Sequence, residues 1–233
     1  AELARELARP ARHLRRALEQ LGLAHRPARF RLRGHRFDRT RARAVVLRGD
    51  PRMLVARERV RRADLFIGVA IDCSGSMGSG ACMDKARRFG VLLAEAAAGL
   101  AGVDVRFVGF EDQVLWDAGS ANRPAVAALE PGGGNNDAAA LWHVAELARR
   151  SRRSARLLVM ISDGLPTECS TTALRGLVRE LEGEGLACAQ VAVRALAERC
   201  FDHYVEVLEP DVAVASRAFG DIVTGLVART LRG

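Results

Sequence analysis

The segment Asp72-Cys73-Ser74-Gly75-Ser76 sets one carboxylate and two hydroxyls at alternate positions, directly after the apolar run Leu65 to Ile71. Residues two apart in an extended segment face the same side, so three oxygen donors converge. Oxygen-only donors suit a hard divalent cation, and Mg²⁺ in particular takes few protein ligands and keeps several waters. Two more segments share this design. Gly132 to Asp137 offers Asn135, Asn136 and Asp137 just before a predicted helix, and Ile161-Ser162-Asp163-Gly164 ends another apolar run on a carboxylate. Each segment alone is also what an ordinary turn looks like, with Ser76 or Ser79 as a helix cap and an aspartate before glycine as a turn residue. Three such segments at successive strand ends are what point to chemistry. A phosphate-binding loop is a poor fit, because GSMGSGACMDK has neither the GxxxxGK[ST] nor the GxGxxG spacing.

The elements that position these donors follow from the apolar pattern. Strands are predicted over 65–72, 103–110, 113–117, 155–162, 186–193 and 204–208. Helices are predicted over 82–100, 137–150, 171–184 and 213–231, with a short helix or turn at 125–129. Strands alternating with helices of this length imply an α/β fold, a mostly parallel central sheet covered by helices on both faces. In such sheets ligands bind beyond the carboxyl ends of the strands, where all three donor segments fall. Ahead of this domain, 63–233, lies a basic arm, 1–62. Leu3, Leu7, Leu14, Leu18 and Leu21 keep helical spacing there, and Pro10 is expected to break the pattern into two short helices or fray it. Residues 23–62 read as irregular, with a short helix near 38–47. The apolar stripe of the arm, together with its charge, predicts that it packs onto the domain at least in part.

The net charge of +8 is unevenly placed. Residues 1–62 hold 19 arginines against six acids, whereas 63–233 hold 17 basic and 22 acidic residues. Only Lys85 of the 36 basic residues is a lysine, so the arginine bias runs through the whole chain and weakens a nucleic-acid reading of the arm. The only aromatics in 23–62 are Phe30 and Phe37, too few for base stacking. No apolar run reaches the ~20 residues of a membrane span. Five widely spaced cysteines without a CxxC pair argue against a disulfide framework or a zinc site and favour the cytoplasm. No secretory signal is read at the start, and a chain beginning at alanine reads as a piece of a longer protein.

Asp72-x-Ser74-x-Ser76 after an apolar strand, with the later ISDG, resembles the metal-ion-dependent adhesion site (MIDAS) of von Willebrand factor A (VWA) domains. The resemblance covers about 63–233 and implies a Rossmann-like VWA fold in which five loop residues hold one Mg²⁺ or Mn²⁺. By position these are Asp72, Ser74, Ser76, Asn135 and Asp163, the last acting through water in the family. Asn135 stands where most of the family has threonine, and Asp137 competes with it for the fourth-ligand role. Residues 34–54 further resemble the basic lead-in of bacterial VWA proteins that work with MoxR-type AAA+ ATPases, such as the cobaltochelatase T subunit. Residues 134–148 are similar to that branch's N-x-D-(G/A) loop and helix, in which asparagine is normal.

The resemblance implies a non-enzymatic adaptor whose cation is completed by an Asp or Glu of a partner protein. Two rivals stand beside it. An enzyme using Asp72 as phosphoryl acceptor or metal-assisted hydrolytic centre needs a general base. His13, His25 and His35 lie in the arm, while His143 and His203 read as structural residues, so no acid–base pair is visible. The other rival, an Arg-rich nucleic-acid binder, rests on the arm alone.

Overall fold

The computed structural model describes residues 2–20, 23–61, 64–164, 166–208 and 212–230. Two helices, α1 (Glu2–Glu6) and α2 (Ala8–Gln20), lead into β1 (Leu23–Arg31), β2 (Arg36–Phe37), α3 (Ala42–Arg48) and β3 (Leu54–Arg61). The main body then runs β4 (Leu65–Asp72), α4 (Cys82–Ala97), β5 (Val103–Phe110), β6 (Leu115–Ser120) and β7 (Arg123–Pro124). It continues through α5 (Asp137–Arg150), β8 (Ala155–Ser162), α6 (Thr171–Gly183), β9 (Ala187–Ala192), β10 (Tyr204–Glu206) and α7 (Val212–Thr230).

Among the described residues the main sheet has seven strands in the order β10-β9-β8-β4-β5-β6-β7. Five of them, from β10 to β5, are parallel, and β6 and β7 add an antiparallel edge. All eight residues of β4 are buried, which is why this strand reads as an unbroken apolar run rather than an alternation. Leu65, Ile67, Val69 and Ile71 pack on one face with residues of α2, α4 and α7. Phe66 and Ala70 pack on the other with α5 and α6. Gly68 lies on that second face, where a Cβ would sit 3.2 Å from Cβ of Val144, so its missing side chain lets α5 approach the sheet closely. From β4 the chain crosses through α4 to β5 on one side, and after β7 it returns through α5 to β8 on the other side of β4. The strand order therefore reverses between β4 and β8, and a crevice opens beyond their carboxyl ends.

The N-terminal helices belong to this packing. Leu7, Ala11, Leu14 and Leu18 recur at helical spacing and join the buried cluster that includes α4 and α7. At its centre Phe89 of α4 meets Phe219 of α7 edge to face, with ring centroids 5.3 Å apart. Arg88 of α4 binds Glu6 at 2.6 Å, and Arg15 of α2 donates to the carbonyl of Ala98 at 2.8 Å. Leu21, and the junction between residues 62 and 63, lie outside the described residues.

Two expectations for the first sixty residues are corrected. The break between α1 and α2 is at Leu7, not at Pro10. Pro10 sits in the first turn of α2, where an N–H has no intrahelical partner to lose. Residues 23–61 are not irregular. The antiparallel pairs β1–β3 and β2–β3 form a three-stranded sheet, with the backbone of His35 donating to the carbonyl of Val55 and that of Asp38 to Met53. A short helix is found near its predicted place, as α3.

Truncating Leu14 or Leu18 to alanine is predicted to destabilise the whole protein by ~2–5 kcal/mol, because each is a filled core position at 1% and 0% exposure. Urea unfolding checks this against Val46→Ala, 82% exposed on α3, whose effect should stay within ~0.5 kcal/mol. Equal effects at the three positions would show that α2 is a loose appendage.

Candidate metal centre

The end of β4 delivers Asp72 fully buried, and the chain turns at once through a short 3-10 segment, Gly75–Gly78. Asp72 Oδ1 accepts the backbone N–H of Ser74 at 2.8 Å, which fixes the carboxylate over the start of that turn. Ser74 and Ser76 then point the same way, with their Oγ atoms 3.0 Å apart. Ser76 Oγ also donates to Asp163 Oδ1 at 3.0 Å, joining the end of β4 to the end of β8. Behind the turn, Gly75 N donates to Gly133 O and Gly132 N to Cys73 O, so the glycine loop is laid directly against the metal-type motif. Gly133 has φ +36°, a left-handed conformation that favours glycine. Beyond the turn Gly80 and Ala81 are both left-handed, at φ +59° and +58°, and swing the chain into α4. For Ala81, which has a Cβ, that conformation costs ~1 kcal/mol.

The loop 132–137 separates into three roles. Asn136 caps α5, its side chain accepting from the backbone of Ala139 at 3.1 Å. Asn135 is buried and directs Nδ2 toward Asp72 Oδ2, at 3.5 Å, the long limit for a hydrogen bond. Its Oδ1 accepts from Thr167, from the backbone N–H at 2.6 Å and from Oγ1 at 2.7 Å. A backbone N–H can only donate, so this contact settles which amide atom faces which way. Asn135 therefore turns its nitrogen toward Asp72 and its oxygen toward Thr167, and in this orientation it presents no ligand oxygen beside Asp72. Asp137 is 1% exposed at the first turn of α5, and its Oδ2 has no hydrogen-bond partner.

These carboxylates are electrostatically frustrated. Burial pushes the Asp72 carboxyl up to about 6, against the hydrogen bonds from Ser74, and the charge of Asp163 adds to the rise. Burial likewise pushes Asp137 up to about 7, with the charges of Asp72 and Asp163 adding to it. Asp163 Oδ2 is buried without a hydrogen bond. Among the described residues no three His, Cys, Asp or Glu side chains form a ready cage for a metal. The set is instead two carboxylates, Asp72 and Asp163, with two hydroxyls between them. Paired hydroxyls beside under-neutralised, buried carboxylates fit a hard divalent cation. Asp72, Ser74, Ser76 and Asp163 are the residues that would hold it, and Asn135 orients Asp72.

Two residues at this edge were not singled out in the sequence. Thr167 holds Asn135, and Arg194, just past β9, lies 3.6 Å from Asp163 Oδ2. Thr167 follows the ISDG segment closely enough to have been considered, whereas no motif marks Arg194.

No protein-family profile matches the chain. No curated protein matches it either. Solved structures do. The PilB minor pilin of Streptococcus sanguinis superposes with a TM-score of 0.57 at 11% identity, over 73% of this chain and 64% of the pilin. Proximal thread matrix protein 1 of the mussel byssus gives 0.53 at 14%, over 71% of this chain and 46% of that protein. A von Willebrand factor type A protein of Catenulispora acidiphila gives 0.52 at 14%, over 76% and 43%. The chain thus spans less than two thirds of each. At these identities the likeness establishes the fold, a Rossmann-like α/β architecture of the VWA type.

The raised carboxyls predict a pH dependence in EDTA. A buried acid with a folded-state pKa above its ordinary value of 3.8 leaves stability intact below that value and removes it as pH rises toward about 6 for Asp72 and about 7 for Asp137. Asp137→Asn should therefore flatten the loss between pH 4 and pH 8 and be the more stable protein at pH 8, by ~1.4 kcal/mol for each tenfold change in proton affinity that is removed. Denaturant unfolding at several pH values measures this. A variant with the wild-type slope would mean that the fold does not hold the Asp137 carboxyl above its ordinary value.

Proposed function

We propose that the chain is a non-enzymatic, metal-dependent protein-binding module, an adaptor that works with a MoxR-type AAA+ ATPase and engages an acidic residue of its client. The observation that carries this reading is the continuous contact Asp72–Ser74–Ser76–Asp163 across the β4–β8 crevice of a VWA-type fold. Asp72, Ser74, Ser76 and Asp163 would hold Mg²⁺ or Mn²⁺, whose chemistry is to offer a partner's Asp or Glu an electropositive point of attachment.

The residues around the crevice support binding rather than turnover. Ser74 and Ser76 are neutral, and Asp72 and Asp163 supply at most two negative charges, so a divalent ion is left without excess compensation and favours one more anionic oxygen. Ser76, Gly78, Ser79 and Gly80 are exposed and small, which leaves room for an approaching side chain. His143 lies instead in a groove of about 570 Å³ with Phe66, Val108 and Trp116, and the backbone carbonyl of His203 accepts from Gln190. The ATPase part of the reading is supported by the sequence likeness of 34–54 and 134–148. The first of these segments carries Phe37, Val46 and Leu47 exposed among arginines, a surface suited to a protein partner.

Calorimetry with Mn²⁺ tests the site: wild type should bind one ion, and Asp72→Ala should lose at least ~100-fold in affinity with its fold retained. Co-purification with a MoxR-type ATPase of the same genome tests the role. Complex formation should require Mg²⁺ and fail for Ser74→Ala/Ser76→Ala, whereas recovery in excess EDTA equal to that in Mg²⁺ would contradict it.

A further inference from the structure

Asp163 is 6% exposed, and its Oδ2 has no hydrogen bond. A buried carboxylate left this way needs a counter-charge. The neighbouring cation is Arg194, with Nη1 3.6 Å from that oxygen, beyond hydrogen-bond reach but well within Coulombic range. The same guanidinium donates through Nη2 to Ser79 Oγ at 2.8 Å. Ser79 Oγ in turn donates to the backbone carbonyl of Ser76 at 2.9 Å, so the arginine braces the turn that presents the metal-type hydroxyls.

The two ends of this side chain differ. Its base is anchored, because the adjacent Val193 donates its N–H to Ser162 O at 3.0 Å and its carbonyl accepts from Lys85 Nζ at 3.3 Å. Its tip reaches solvent, the Arg194 side chain being 48% exposed against 5% for that of Asp163. An incoming divalent ion and this guanidinium cannot both neutralise Asp163 without repelling each other. The carboxylate cannot leave, whereas the arginine can swing into water.

Building on the metal-binding reading above, we infer that Arg194 is a tethered competitor of the cation. It neutralises Asp163 and ties the loop after β9 to the 75–80 turn when no ion is bound, and it yields both contacts when one binds. The site's affinity for metal is thereby set below what its donors alone would give, and binding frees a guanidinium at the rim of the site.

Calorimetric titration of Mn²⁺ into wild type, Arg194→Gln and Arg152→Gln tests this at low and high salt. Arg152 is exposed at the opposite end of β8 and controls for net charge. Arg194→Gln should bind Mn²⁺ about tenfold more tightly at low salt, with the gain shrinking at 0.5 M NaCl because a half-exposed charge is screened. Arg152→Gln should match wild type. In EDTA, Arg194→Gln should also melt at a lower temperature than wild type, with Mn²⁺ closing the gap. If wild type binds Mn²⁺ and Arg194→Gln binds it equally or more weakly, the competition is refuted and the metal site stands. If wild type takes up no Mn²⁺, the metal reading itself fails, and this inference falls with it.

Discussion

Asp72 is a carboxylate at the end of a strand buried along its whole length, itself 0% exposed and neighboured by the charge of a second carboxylate, Asp163. Burying an anion is costly unless it is paired or hydrogen-bonded. The surroundings meet that cost only in part. One oxygen of Asp72 takes the Ser74 backbone, the other the distant amide of Asn135, and no cation among the described residues offsets its charge. Much else at the sheet edge can be understood as the arrangement around this incomplete compensation. Two hydroxyls are held in line toward Asp163, and an arginine stands on its far side.

The fold creates the conditions for that burial. β4 lies between β8 and β5, with apolar side chains on both faces, so its last residue emerges in the crevice where the strand order reverses. On one face α4 is backed by α2 and α7, and their shared cluster includes Ile71, next to Asp72. The N-terminal helices thus help hold the strand that carries the site, though they stand far from it in the chain. On the other face Gly68 admits α5 closely, and the cap supplied by Asn136 starts that helix where Asp137 faces inward.

How much of this could be read beforehand depended on where the determining contacts lie. The DxSxS geometry is local, since alternate residues of an extended turn share a side, and the apolar run before it announces a buried strand. The parallel sheet and the loops at its edge were legible for the same reason. The orientation of Asn135 was not, because it is set by Thr167, which arrives from the loop after β8, 32 residues away in the chain. Arg194 was hidden in the same way, by a contact 115 residues from Ser79. In β3 the sequence LVARERVR carries three arginines and a glutamate in eight residues, so no apolar run announces a strand, and its strand character rests on cross-strand pairing with β1 and β2. Proline breaks helices by residue type, but its effect depends on position, and in the first turn of α2 Pro10 breaks nothing.

The central claim is that Asp72, Ser74, Ser76 and Asp163 form one cation site, with Asn135 orienting the first of them. Anomalous diffraction from crystals grown with Mn²⁺ tests it most directly, because it locates the ion without reference to any partner or activity. The account predicts a single strong peak between the ends of β4 and β8, bounded by the oxygens of those four side chains, with the Asn135 oxygen still turned to Thr167. Absence of a peak there, or a peak on Asp137 with the two serines uninvolved, would contradict it.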